Sequence, residues 1–335
     1  MNLDIIATHP LQFRLSGVHH SFANALRRTL LGNIPIMVMK PDQCDISVNT
    51  SRFTNEIIKS RLACIPIHHT TDVMEVMTIT VSKKNDTTGI LYVTTEDFTP
   101  SKLFPPSQYK GLDGKHHTTF IEFLRLRPGE EIRLTCTTSV GTGNESGMYN
   151  SVGTCSYGFT QDKEESDRVF SHEKESKENW DLLGAKRIVK PNSYDFILES
   201  IGVFKEPILL LYAVEVIKAQ LNACKRNAEV CESVNTLPHC FDISMTGNYT
   251  LNTLSVEMKG DYTLGKLLEY QVYLRYNPIT YVSYYKKHPH DAKGILRVAF
   301  PTATPDTVKA LLHEVCDECT AQLDEFVMLL TKKSS

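Results

Sequence analysis

The segment Phe22 to Leu31, FANALRRTLL, returns in weakened form as Leu264 to Gln271, LGKLLEYQ, with Ser21 and Thr263 standing ahead of the two runs 242 positions apart. Each run opens with a bulky apolar residue and a small one, followed by Ala25-Leu26 or Leu267-Leu268. The likeness continues past the run, where Asn33, Pro35 and Ile36 are answered by Asn277, Pro278 and Ile279. Both copies read as a hydroxyl N-cap, a helix, and Asn with Pro ending it ahead of an apolar strand. A chain that carries one supersecondary unit twice, far apart, is expected to fold as an internal pseudo-dimer. The copies differ in their polar chemistry: Arg27-Arg28 in the first is Glu269-Tyr270 in the second, so one scaffold has two outer faces.

With 335 residues, 41% of them apolar, the chain can fill two domains or one large one. Its formal charge of −3 supplies no overall pull toward nucleic acid or anionic membrane, so any work on nucleic acid is expected to go through a partner. No apolar run approaches the ~18 residues of a membrane span, and no basic-then-apolar leader opens the sequence; the expectation is a soluble, unexported chain. Nine cysteines, odd in number and irregularly spread, fit reduced thiols in a cytosolic or nuclear compartment.

Residues 1–41 read as a strand, a turn at Gly17, the helix of 21–31 and a strand at 36–39. From Pro41 to about Pro191 alternating stretches at 76–81, 90–93 and 132–136 predict short strands, with a helix at 54–63. The Gly- and Ser-rich run 141–158 is expected to be a loop, and the mixed-charge run 161–180 a solvated helix or mobile loop. After Pro191 the helix-and-strand pattern of residues 1–41 resumes: a strand at 194–201, then a long helix from Lys205 with Pro207 tolerated in its first turn. On that helix Leu210, Val214, Ile217, Leu221 and Cys224 recur at three and four.

The expected organisation is a domain of 1–41 and 191–237, split by a mostly β insertion of 42–190, with a short joint at Asn235 to Pro238 and a smaller domain of 238–335. The smaller domain reads as strands within 241–255, the repeated helix from Thr263, strands near Tyr281 and at 295–300, and a last helix of 305–330. That helix carries Val308, Leu311, Leu312, Val315, Cys316, Cys319, Leu323, Phe326, Val327 and Leu330 on one stripe. At ~1.5 Å per residue it spans roughly 40 Å, more than a small sheet can cover, so it is expected to pack against the helix from Lys205.

The polar constellations are mostly structural in character. The adjacent pairs His19-His20, His68-His69 and His116-His117, and the His288-Pro289-His290 run, are not expected to bind metal, since sequence neighbours do not face one site on a helix and point to opposite faces on a strand. Cys316 and Cys319 sit inside the helical stripe and read as packing. Cys44, Cys64, Cys136 and Cys155 have no close pair, so no zinc cluster is expected. There is no Gly-rich phosphate loop and no nucleophile elbow, and Asp42 with Asp45 falls short of a two-metal carboxylate set. Arg27-Arg28 is the sharpest polar signal: arginine suits interface contacts, and the second copy lacks both.

At these residues the sequence resembles a known family. FANALRRTLLGNIPIMVM, with Asn49-Thr50-Ser51 and the stretch from Asn55-Glu56 through Arg61-Leu62 to Ile65-Pro66-Ile67, resembles the alpha-type assembly subunit of multisubunit DNA-directed RNA polymerases, whose eukaryotic counterpart is the third-largest subunit of polymerase II. The segment 195–221 resembles that family's return into its dimerisation domain. Asp261 to Leu268, with His288-Pro289-His290, resembles the smaller partner, the eleventh subunit of polymerase II.

The resemblance implies an α+β fold of the alpha-subunit dimerisation type, with a mostly β insertion, fused to a second, smaller dimerisation domain. It implies docking through Asn24, Ala25, Leu26, Arg27 and Arg28, with a neighbouring contact at Asn49, Thr50, Ser51, Glu56 and Arg61. Arg28, supported by Arg27, is expected to anchor the second-largest polymerase subunit. Leu210, Val214, Ile217 and Leu221 are expected to meet Leu312, Val315, Cys319, Leu323 and Phe326 in the dimerisation seam.

The implied partners are the largest, second-largest and small polymerase subunits, with DNA reached only through the complex and no membrane; the clustered cysteines that hold a metal in some relatives are missing here, so no cofactor or metal is expected. The fusion resembles the arrangement in large DNA viruses, which implies a viral polymerase working in a cytoplasmic factory or the nucleus, with packaging in the virion open. The rivals are a stand-alone nucleic-acid-binding protein, opposed by the acidic balance, and an enzyme, opposed by the missing catalytic constellation.

Overall fold

The computed structural model describes residues 1–8, 10–68, 76–112, 114–170, 176–230, 252–259, 261–275, 281–291, 293–300 and 304–334. The chain opens with β1 (Asn2–Thr8), β2 (Leu11–Ser16), α1 (His20–Gly32), β3 (Ile36–Asn49) and α2 (Asn55–Ala63). Short strands follow: β4 (Thr78–Lys84), β5 (Leu91–Thr94), β6 (Phe98–Thr99), β7 (Ser107–Lys110), β8 (His116–Thr119), β9 (Glu122–Leu126), β10 (Glu131–Gly141) and β11 (Val152–Gln161). Then come α3 (Lys163–Phe170), α4 (Lys177–Asn179), β12 (Val189–Ser200) and the long α5 (Glu206–Val230). The carboxy-terminal part contains β13 (Asn252–Lys259), α6 (Tyr262–Arg275), β14 (Tyr281–Tyr285), β15 (Lys293–Phe300) and α7 (Pro305–Ser334). The expected joint at Asn235 to Pro238, the strand signals before Asn252 and the Asn277-Pro278-Ile279 echo lie outside the described residues.

The chain divides into two compact units: Met1–Leu30 with Thr154–Glu199 and Glu206–Ser335, and Leu31–Gly153 with Ser200–Lys205. The first contains both copies of the repeat. Its two sheets run β1-β2-β12-β11 and β13-β15-β14. Apart from the extra edge strand β1, the order is the same in both: the strand before the repeated helix, then the strand before the long helix, then a third. The third strand explains where the chain divides. The insertion expected at 42–190 leaves after α1 and returns with β11, which takes the place that β14 fills directly after α6. Residues 154–190 therefore group with the first unit, and the second unit begins earlier than expected, at Leu31.

Side chains tie β11 to this sheet. Arg14 on β2 stands opposite Asp195 on β12 and donates to its carboxylate at 2.6 Å, while the Thr160 hydroxyl of β11 donates to the same carboxylate at 2.9 Å. Phe13 and Phe196 stack at 4.8 Å, with Tyr157 at 5.1 Å from Phe196. The run 141–158 is thus only partly a loop: its second half is strand, with Val152, Cys155 and Thr160 of β11 buried and Tyr157 half-buried against Phe196. In the run 161–180, Lys163–Phe170 is helical, and Trp180 is buried with its indole N–H donating to Ser166.

The helices begin two residues earlier than the hydroxyl N-caps imply. Ser21 lies inside α1, where its backbone N–H donates to the His19 ring; Thr263 lies inside α6, just after Asp261. Ahead of α1 the His19 ring accepts the backbone N–H that a Ser cap would otherwise take.

The long helices pack as their stripes predict. Leu210, Val214, Ile217 and Leu221 of α5 are buried, as are Leu312, Val315, Cys319, Leu323 and Phe326 of α7, and the two helices lie in contact. Val327, at the edge of the stripe, is only half-buried. Lys218 and Lys225 of α5 pair with Asp324 and Asp317 of α7 along the flank. Glu206–Arg226 is apolar and long enough to cross a membrane by composition, which corrects the expectation that no run reaches that length. Here its apolar face packs on α7, while Glu215 is exposed and Lys218 lies on the flank.

The second unit is built on the sheet β3-β10-β4-β6, with the smaller pairs β5-β9 and β7-β8. α2 packs on β3 through Ile58 and Leu62, over a core that includes Ile79, Phe98, Phe123 and Leu134.

Candidate docking and dimerisation surface

In α1, Ala25 and Leu26 turn inward and are buried, which the amphipathic spacing requires. Their polar neighbours stay on the surface. Asn24 Oδ1 accepts from Arg27 at 2.9 Å, holding that guanidinium against its own helix. Arg28 instead leaves its helix: Nη2 donates to the Asp261 carboxylate at 2.5 Å and Nε to the Thr263 hydroxyl at 2.9 Å, at the start of α6.

The opposite end of the same contact has the matching geometry with other chemistry. Tyr270, mid-helix in α6, lies flat on the ring of His19 at the start of α1, centroids 3.3 Å apart and planes within 3°. The repeat offset carries Arg28 onto Tyr270 and His19 onto Asp261. Position 28 meets position 261, and position 270 meets position 19: each copy's mid-helix residue reaches the residue ahead of the other copy's helix. This is the reciprocity of a two-fold interface, here within one chain. Burial and the neighbouring His20 charge push the His19 imidazole down to about 4.

A cleft of about 480 Å³ opens beside the stack, lined by His19, His20 and Asn24 from one side and Lys266, Glu269 and Tyr273 from the other. Glu269 spans to Lys266 and accepts the Tyr284 backbone N–H at 2.7 Å, so the second copy's outer face is tied to β14. Below these ends Phe22 of α1 meets Phe326 of α7 edge to face at 6.3 Å.

The second expected contact, on the other unit, is mostly self-engaged. Asn49 Oδ1 accepts from the Ser51 N–H and hydroxyl at 3.0 and 2.7 Å, while its amide donates to Phe53 and Asn55. Thr50 exchanges bonds with the Glu131 backbone. These three residues build the turn that launches α2. Glu56 is fully exposed in the first turn of α2, its carboxyl held below the usual range by its own backbone N–H and the Thr54 side chain. Arg61 Nε donates to the Phe123 carbonyl at 2.8 Å and its guanidinium lies over Phe53.

Among the described residues the cysteines fall into two buried pairs and scattered singles. Cys44 and Cys136 face each other in register on β3 and β10, and Cys224 meets Cys316 between α5 and α7; Cys64 is exposed, and Cys155 is buried on β11. Burial pushes the Cys155 thiol up to about 12. Among the described residues no three His, Cys, Asp or Glu side chains converge as metal ligands would.

Sequence reasoning noted the replacement of Arg27-Arg28 by Glu269-Tyr270 but missed the pairing of Arg28 with Asp261 and of Tyr270 with His19. The offset between the copies was the signal that could have found it.

Comparison with known proteins agrees with this architecture. The RNA polymerase Rpb3/Rpb11 dimerisation domain matches residues 12–299. DNA-directed RNA polymerase subunit Rpo3 of Pyrococcus furiosus is 40% identical over 89 residues, which are 24% of this chain and 33% of that one. The Rpo3 of Methanosphaera stadtmanae is 27% identical over 158 residues, covering 44% of this chain and 56% of the relative. Subunit 3 of DNA-directed RNA polymerases II, IV and V of Arabidopsis thaliana is 20% identical over 294 residues, covering 66% and 89%. The match to these archaeal relatives thus spans about a third to a half of their length. With a family match running from β2 through β15 and the reciprocal contact between its two helix copies, this chain belongs to the RNA polymerase Rpb3/Rpb11 dimerisation-domain family.

Proposed function

We propose that the chain is a non-catalytic assembly subunit of a multisubunit DNA-directed RNA polymerase, carrying both halves of the dimerisation pair in one polypeptide. The reciprocal exchange between positions 19, 28, 261 and 270 carries this reading, because two unrelated domains have no reason to meet with the symmetry of a dimer. The continuous α5–α7 seam supports it. Linking the halves raises their effective concentration to roughly millimolar, so the platform forms even when chains are scarce.

The partners under this reading are the two large catalytic subunits and small polymerase subunits, with DNA reached through the complex. Asn24 and Arg27, together with the cleft beside His20 and Tyr273, form the face available to a large subunit. Arg28 serves instead to join the two copies, which revises the anchoring role expected for it. The single-chain arrangement favours a viral polymerase, acting in a cytoplasmic factory or the nucleus.

The test is affinity purification of the tagged chain from its native source. Two very large chains with nucleotide-polymerising activity are expected to accompany it, and an Arg27→Glu variant should lose them while staying folded. Recovery of the chain without any large partner would overturn the reading.

A further inference from the structure

Next to the Asn49 turn, the second unit holds a pocket of about 250 Å³ whose rim is Arg52, Arg61 and Arg125 with Glu122, and whose floor includes Phe53 and Phe123. The three guanidiniums differ in how far they are committed. Arg125 makes a two-bond pair with Glu122, at 2.6 and 3.1 Å, and stacks over Tyr92. Arg61 spends Nε and Nη2 on the Phe123 and Glu122 carbonyls, which fixes its plane. Arg52 is exposed and has neither a hydrogen bond nor an ion pair among the described residues. It directly follows the Asn49–Ser51 turn.

We infer that this pocket binds an acidic peptide segment of a partner chain, seating one carboxylate on Arg52 and Arg61 and an adjoining apolar side chain against Phe53 and Phe123. Planar guanidiniums match a carboxylate in two-bond geometry, and a pre-positioned Arg61 loses little freedom on binding. The volume suits one large side chain with its neighbouring carboxylate. A nucleic-acid strand fits worse. Glu122 on the rim opposes a row of phosphates, and this unit carries as many acidic as basic residues, so no wider positive field holds a polyanion. The inference rests on the proposed assembly role only for the source of the segment.

The experiment measures fluorescence anisotropy of labelled peptides on the full chain alone, so it can fail while assembly succeeds, or the reverse. The probe is a Gly-Asp-Phe-Glu-Gly peptide, against its Gly-Asn-Phe-Gln-Gly counterpart and a six-nucleotide thymidine oligomer. The acidic peptide should bind, and Arg52→Gln should weaken it roughly tenfold or more, as expected for a lost charge-assisted contact. Glu122→Gln should tighten it by removing the competing carboxylate; a merely structural Glu122 would not do so. Equal binding of the amide peptide, or no binding of the acidic one at millimolar concentration, overturns the inference. Oligonucleotide binding that disappears in Arg52→Gln also overturns it, in favour of a phosphate site.

Discussion

The two ends of the α1–α6 contact occupy equivalent positions in the repeat and use different physics. At one end an exposed arginine reaches Asp261 and Thr263; at the other a tyrosine lies on a half-buried imidazole. In a homodimer one residue would have to serve both ends, since the same patch faces itself. In a chain carrying both copies the ends vary separately, and what must be kept is the reach from mid-helix to the start of the other helix. The Arg28 end is screened by salt, whereas the His19 end responds to pH.

The largest effect is expected in the layer beneath both ends. Phe326→Ala removes a fully buried ring that meets Phe22, and should cost about 3–5 kcal/mol in thermal or urea unfolding. A loss under about 1 kcal/mol would mean that the two copies do not share a core.

Next in size is the small position that both copies keep, Ala23 and Gly265. A Cβ at Gly265 would lie 2.3 Å from the Tyr284 ring, so Gly265→Ala should destabilise by about 1–3 kcal/mol through overpacking. The reverse change, Ala23→Gly, should cost only ~0.5–1 kcal/mol, the usual penalty of glycine within a helix. Similar costs at both positions would remove this asymmetry.

The pH response of the stacked end comes third. The His19 imidazole is held near 4 in the folded chain, against an ordinary 6.5, so between those values the unfolded chain takes up the proton first. Its contribution to stability is complete above pH 6.5 and is lost as pH falls toward 4. His19→Phe keeps a ring against Tyr270 without the titration, so its melting temperature should fall less than that of the unaltered chain over this window. Parallel curves would show that the imidazole is not the group responsible.

The smallest effect belongs to the charged end. Arg28→Ala should cost about 0.2–1 kcal/mol, because the ion pair is exposed, and the difference should shrink in high salt. A larger, salt-independent loss would mean that the pair is closed off from water.

Much of this fold was legible in order. The stripes on α5 and α7 buried as their spacing required, and the inward turn of Ala25-Leu26 followed from the same periodicity. The candidate surface was less legible. Asn49, Thr50 and Ser51, which the resemblance implies as contact residues, form a turn, since short polar side chains satisfy their own backbone when it bends. Arg52 and Arg125 escaped notice because their pocket joins a loop to a strand some seventy residues further on.

Residue order alone shows that one helical unit occurs twice, where its apolar faces lie, and that two long helices need a partner. These are local properties, set by periodicity and residue type. It is packing that joins Arg28 to Asp261, lays Tyr270 on His19, and places β11 beside β12 rather than with the insertion before it. Each of these joins residues distant in the chain, and the choice between a partner and solvent is made by which surfaces packing brings within reach.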